Sequence, residues 1–160
     1  MSAKTRSADL PAEPAERVLT ITRVFDAPRT LVFDAFVDPQ QALRWMGPRD
    51  HPVTHLKADV RRGGAWRARL RATDGGRELW QGGVYREVVP GERLVFTFAW
   101  DEDDGGRGPE TVITISFADQ GGKTLMTFRQ AAFNTEANRD GHRVGWDSTF
   151  DRLAEYLANP

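Results

Sequence analysis

The chain predicts an α+β fold in which a curved antiparallel sheet of about six or seven strands wraps around one long C-terminal helix. Three observations predict it. Trp146, Phe150, Leu153 and Leu157 recur at steps of four, three and four, the spacing of one helix face. Almost everything before that stretch reads as short strands separated by turn residues. Two short helical segments stand between the first and second strands, which lets those strands lie at opposite edges of the sheet. One long helix and a largely antiparallel sheet must bury their apolar faces against each other. One step back along the helical stripe is His142, four residues before Trp146.

In chain order, residues 1–16 are rich in Ala, Pro and small polar side chains without periodicity and read as a mobile tail. Residues 17–160 are then a single domain. Val18 to Phe25 is β-branched and compact, a first strand. Asp26-Ala27-Pro28 starts a helix, with Pro28 in the first turn where its missing N–H costs nothing. Asp38-Pro39 repeats the signal for a second short helix through Leu43, Trp45 and Met46, ended by Gly47-Pro48. Strands follow at 53–60, 65–72, 78–89, 93–100, 111–117 and 124–133. Turns at Gly63-Gly64, Gly75-Gly76, Pro90-Gly91 and Gly121-Gly122, and an acidic glycine-rich loop from Asp101 to Pro109, separate them into a meander. Thr135 is placed to cap the final helix, whose Asp147, Asp151, Arg152 and Glu155 are expected to face water.

Composition narrows the function classes. The 160 residues are 39% hydrophobic and 28% charged with a formal net charge of −1, which offers nucleic acid or an anionic membrane no electrostatic attraction. No apolar run approaches the roughly 20 residues that span a bilayer, and residues 1–16 lack the apolar core of a secretory signal. The expected location is the cytoplasm. The chain has no cysteine, which removes disulfides, thiolate metal sites and cysteine nucleophiles together. Lysine occurs only at Lys4, Lys57 and Lys123 while arginine is plentiful, which points to a GC-rich bacterial genome.

Ala27-Pro28-Arg29-Thr30-Leu31-Val32-Phe33-Asp34-Ala35-Phe36 resembles the opening helix of the SRPBCC superfamily, the START-like or helix-grip proteins. Four further segments resemble the small bacterial members named after the C-terminal domain of the heat-shock-chaperone ATPase activator. These are Arg44 to Pro48, Asp59 to Trp66, Gly83 to Leu94, and Gly145-Trp146 with Leu153 and Leu157. Together they span about 17–157. Met46 stands where that group commonly has a second aromatic, and Gln130 where relatives often carry a His or another polar residue. The resemblance implies a cavity under the gripped helix. The activator itself has an additional N-terminal domain that docks on its client, for which residues 1–16 are no substitute.

Strand alternation sets Leu94, Phe96, Phe98 and Trp100 on one face, Trp66, Ala68 and Leu70 opposite Arg67, Arg69 and Arg71, and Met126, Phe128 and Gln130 together. The candidate ligand-contacting set is Trp66, Phe96, Phe98, Trp100, Met126, Phe128, Gln130, His142 and Trp146. Aromatics at these spacings also fill solid cores; the resemblance favours a ligand-sized pocket. Gln130 and His142 are the polar groups that would orient a ligand. The plainer reading of His142 is a half-exposed side chain hydrogen-bonded to backbone. His51 and His55, four apart in extended chain, are about 13 Å from each other and too distant to share a metal. The arginine row is read as a solvated sheet face and Asp101 to Asp104 as a mobile acidic loop. Gly82-Gly83 reads as a turn or bulge pair. No nucleophile motif is present, no catalytic residue is named, and no cofactor or metal is expected.

Three functions follow. The first is a binding module for a small hydrophobic or amphipathic molecule. The second is an enzyme of the polyketide cyclase or aromatase kind, with His142, Gln130 and Tyr85 as acid–base candidates. A co-chaperone-like interaction module ranks third. Both a monomer and a homodimer fit the chain.

Overall fold

Seven strands in one antiparallel sheet account for most of the chain between residue 19 and residue 131. A computed structural model describes residues 14–160; the expected mobile tail, 1–16, lies outside the described residues except for its last few. A single 3-10 turn (Ala15–Arg17) leads into β1 (Leu19–Phe25), α1 (Arg29–Val37) and α2 (Pro39–Ala42). Then come β2 (Val53–Ala58), β3 (Ala65–Arg71), β4 (Glu78–Val89), β5 (Arg93–Trp100), β6 (Thr111–Gln120), β7 (Lys123–Ala131) and α3 (Glu136–Ala158). The spatial order is β1-β7-β6-β5-β4-β3-β2. The first two strands therefore lie at opposite edges, as the intervening helices predict.

The helix starts follow from their caps. Pro28, with φ −61° and ψ 150°, is the residue just before α1 rather than inside its first turn. The Asp38 side chain accepts the Gln40 N–H and Pro39 opens α2. That helix ends at Ala42, shorter than its apolar pattern suggests, and the chain continues in turns to Gly47. Gly47 has φ +91°, and a Cβ there would lie 2.7 Å from the Val53 nitrogen, so only glycine fits. Trp45 is fully buried beneath these turns, its indole donating to the Ala35 carbonyl at 3.0 Å and its ring 4.8 Å from Phe36.

Thr135 caps α3 by accepting the Asn138 N–H. The helix lays Phe150 and Leu153, both fully buried, onto the concave face of the sheet. Phe150 packs against Phe128 of β7, Trp146 and Phe36, with ring centroids 5.3, 5.6 and 6.5 Å away. Ion pairs fix the outer side: Arg23 of β1 reaches Asp151 at 2.9 Å, and Arg49 reaches Glu155 at 2.7 Å. Arg152 departs from the expected solvent-facing position. Its guanidinium turns inward to donate to the carbonyls of Met46 and Gly47 at 3.1 and 2.9 Å, in the turns that follow α2.

On the outer sheet face, Arg67 and Arg69 flank the Trp80 ring at 5.0 and 5.8 Å. Arg67 also binds both carboxylate oxygens of Asp101, and Arg77 binds Asp103 at 2.9 Å. The acidic loop is thereby tied to the sheet at two points.

Replacing Phe150 with Ala leaves a cavity at the junction of helix, sheet and α1. It is expected to cost about 3–5 kcal/mol of stability, read as a fall in the urea midpoint at unchanged slope; a loss below about 1 kcal/mol would show that the contact does not hold the helix down.

Candidate functional site

Between the N-terminal half of α3 and the sheet lies a cavity of about 300 Å³. Its walls come from four places. Met46, Pro48 and His51 belong to the segment between α2 and β2. Leu70 on β3, with Leu79 and Gln81 on β4, forms one side, and Phe98 and Trp100 on β5 form the next. The helix contributes Asn138, Gly141, His142, Gly145, Trp146 and Thr149. No Asp, Glu, Lys or Arg is among these walls. A narrower recess of about 40 Å³ shares Met46, Gln81, Phe98 and Trp146 with the main cavity. It runs inward among Trp66, Tyr85, Phe96 and Ile115. A third, more polar space of about 390 Å³ lies across Trp100 and His142, lined also by Glu102, Thr111, Gln130 and Asn134.

The expected contact residues divide among these spaces. Phe98, Trp100, His142 and Trp146 line the main cavity, Trp66 and Phe96 the recess, and Gln130 the polar side space. Met126 and Phe128 line none of the three. Both are fully buried, and the Trp146 ring covers Phe128 at 4.7 Å, so they form the packed layer on which the cavity stands. His51 is at the cavity wall, whereas His55 is on the outer face, 5.9 Å from the Trp80 ring. Among the described residues, no group of three or more His, Asp or Glu side chains is placed to hold a metal ion.

Several polar groups in and around these spaces are held in one state each. Gln130 is fully buried on β7; its amide nitrogen donates to Thr111 Oγ1 at 2.9 Å, and its oxygen accepts the Trp146 indole N–H at 2.8 Å. His142 Nδ1 lies 2.8 Å from the Asn138 carbonyl, and Nε2 lies 2.9 Å from the Trp100 indole nitrogen. A carbonyl only accepts and an indole N–H only donates. The proton therefore sits on Nδ1, Nε2 carries the lone pair, and the imidazole is neutral. Burial lowers its pKa, opposed in part by the bond to Asn138. Thr149 Oγ1 donates to the Gly145 carbonyl at 2.8 Å. Tyr85, deep in the recess, has its phenol pushed up to about 12 by burial, so it remains protonated.

Gln81 is absent from the residues that strand alternation nominates, although the expected strand at 78–89 contains both it and Gly82-Gly83, read as a turn or bulge pair. In the structure both glycines lie inside β4, and Leu79, Gln81, Gly83 and Tyr85 occupy alternate positions along it. The ladder to β5 has no paired residues at Gly83 and Val84. There the Thr97 carbonyl accepts the Trp66 indole and Thr97 Oγ1 accepts the Val84 N–H. A Cβ on Gly83 would lie 1.9 Å from that carbonyl, so the position must be glycine.

A curved antiparallel sheet gripping one C-terminal helix, with an apolar cavity between them, defines a helix-grip protein of the SRPBCC type. The chain belongs to the family of Activator of Hsp90 ATPase homolog 1-like proteins, whose model matches residues 26–158. Solved structures agree in fold. The AHSA1 protein from Silicibacter pomeroyi is 24% identical with a TM-score of 0.81, covering 88% of this chain and 97% of that one. A protein from Chromobacterium violaceum is 27% identical with a TM-score of 0.75, covering 87% and 96%. DynU16, from the dynemicin biosynthetic locus, is 22% identical with a TM-score of 0.73, covering 89% of this chain and 48% of its own. No curated protein matches.

The His142 geometry predicts a pH response. The unfolded chain titrates near the ordinary imidazole value of about 6.5 and the folded chain below it. In that interval the unfolded state binds more protons, so stability is complete above it and falls as pH falls. Lowering the pH from about 7.5 to about 5.5 should reduce the denaturation midpoint more in the wild type than in His142→Phe. Parallel curves would contradict the buried neutral ring.

Proposed function

We propose that this protein binds a small hydrophobic or amphipathic molecule in the cavity between the sheet and α3. The observation that carries this reading is how the helix treats the space. Gly141 and Gly145 sit one turn apart in α3, on the face that lines the cavity. Glycine inside a helix costs about 1 kcal/mol relative to alanine, and neither glycine is required by crowding. A Cβ on Gly141 would meet nothing within 4 Å, and one on Gly145 would come no closer than 3.9 Å to Pro48. Two side chains are missing where they would intrude on an apolar space of about 300 Å³, near the lower end of the range that suits small ligands.

A catalytic role of the cyclase or aromatase kind is the weaker reading. Its acid–base candidates are occupied or inert: both His142 nitrogens and both ends of the Gln130 amide are bonded within the protein, and the Tyr85 phenol holds its proton. The dynemicin-locus neighbour supports a likeness of fold and no more. Chaperone activation, implied by the family's name, has no observation in this chain that favours it.

Binding of N-phenylnaphthylamine, a neutral fluorophore that brightens in apolar surroundings, tests the reading. Saturable binding is expected, weakened at least tenfold in Gly145→Leu, whose side chain would project toward Pro48. The variant should fold as stably as the wild type or more so, since Leu is the better helix former. Undiminished binding to a folded Gly145→Leu would exclude this cavity as the site.

A further inference from the structure

Among the described residues, six polar side chains are buried: Gln81, Thr97, Thr111, Thr124, Gln130 and Thr149. Five of them have partners for their side chains within the protein. Thr97 Oγ1 accepts from Val84, Thr111 bonds Gln130 and the Phe98 carbonyl, Thr124 donates to Ala27, Gln130 bridges Thr111 and Trp146, and Thr149 donates to Gly145. Gln81 is the exception. It is 5% exposed, and its amide, with two N–H donors and a two-lone-pair oxygen, has no hydrogen-bond partner among the described residues. A buried amide without a partner is rare in a folded protein because its desolvation is left uncompensated.

Its position explains what the amide is for. Gln81 lines both the main cavity and the inner recess, at the place where the two share walls. Tyr85, four residues along β4, lines the recess, and its hydroxyl likewise has no hydrogen-bond partner among the described residues. The recess, about 40 Å³, has room for a water molecule or for the polar tip of a ligand, but not for a ring. The main cavity offers aromatic surface from Phe98, Trp100 and Trp146. Neither space is lined by a carboxylate, an ammonium or a guanidinium. A charged ligand group would be desolvated there with nothing to balance it.

We propose that Gln81 is the anchoring residue of the cavity, and that it selects neutral, mainly aromatic ligands carrying one carbonyl or hydroxyl group directed at the recess. This rests on the ligand-binding reading above and gives it a chemical class. The apolar body of the ligand fills the space under Gly141 and Gly145. Its oxygen meets the Gln81 amide, and a hydroxyl or an intervening water reaches Tyr85. Discrimination comes from the amide: a ligand of the same shape without the oxygen leaves Gln81 unpartnered.

Three naphthalenes of similar size test this by quenching of the protein's tryptophan fluorescence. Acetylnaphthalene presents a carbonyl, isopropenylnaphthalene replaces that oxygen with a methylene group, and naphthoate is charged. The wild type should bind acetylnaphthalene several-fold to about tenfold more tightly than isopropenylnaphthalene, and naphthoate most weakly. In Gln81→Leu the preference should fall to about one, because isopropenylnaphthalene is retained while acetylnaphthalene weakens. Gln81→Met, closer in chain length, serves as the second variant if Leu disturbs folding. A carbonyl preference that survives in both variants, or that is absent from the wild type, overturns Gln81 as the anchor. Naphthoate binding as tightly as acetylnaphthalene overturns the selection for neutral ligands. If neither neutral naphthalene saturates the wild type, the ligand-binding reading itself falls, and this inference with it.

Discussion

The structure depends on how one helix is seated. The sheet is a concave surface of aromatic and aliphatic side chains, and α3 is the element that covers it. Phe150 and Leu153 give that contact its apolar strength, but apolar burial alone has little directionality. The hydrogen bond from the Trp146 indole to Gln130 supplies the direction. Gln130 is itself fixed by Thr111, so the tie runs from the helix through β7 to β6. With the indole held there, the rotation of α3 about its axis is set. Gly141 and Gly145 then line the cavity at the N-terminal end of the helix, on the side toward Pro48.

The same seating makes α3 unequal along its length. Its C-terminal half is packed onto the core and strapped to neighbouring segments by Arg23, Arg49 and Arg152. Its N-terminal half is anchored by polar contacts around an opening: the Thr135 cap, the Asn138–His142–Trp100 chain, and Trp146 on Gln130. Polar links of this sort hold geometry without filling volume. A cavity can therefore persist beside a helix whose other half is packed as tightly as an ordinary core.

Much of the fold was legible because its signals are local and periodic. The four-three-four stripe of α3, the Asp38-Pro39 and Thr135 helix starts and the alternation of β3 and β7 each act within a few residues. The edge positions of β1 and β2 followed from the two helices between them. Resemblance added the expectation of a ligand-sized pocket beneath the helix. Three features were harder to read. Arg152 looks like a solvent residue on a helical wheel, and only the three-dimensional return of the Met46–Gly47 carbonyls draws it inward. Gln81 lies within an expected strand but beside Gly82-Gly83, a pair with no side chains to mark the buried face, where the second glycine permits a close backbone approach. Its inward phase with Leu79 and Tyr85 was the available signal. Met126 and Phe128 share the correct face but not the correct depth, since periodicity says which side a residue faces and nothing about what covers it.

The central claim, that α3 and the sheet enclose a site for a neutral apolar ligand, is tested most directly by NMR. A titration of ¹⁵N-labelled protein with acetylnaphthalene would be followed at the five tryptophan indole signals and the glutamine side-chain amides. The account predicts saturable shifts at the indoles of Trp100 and Trp146 and at the Gln81 amide. The indole of Trp45, buried against Ala35, should stay in place and serve as the internal control. Shifts confined to the outer-face Trp80, or spread equally over all five indoles, would place binding elsewhere and contradict the account.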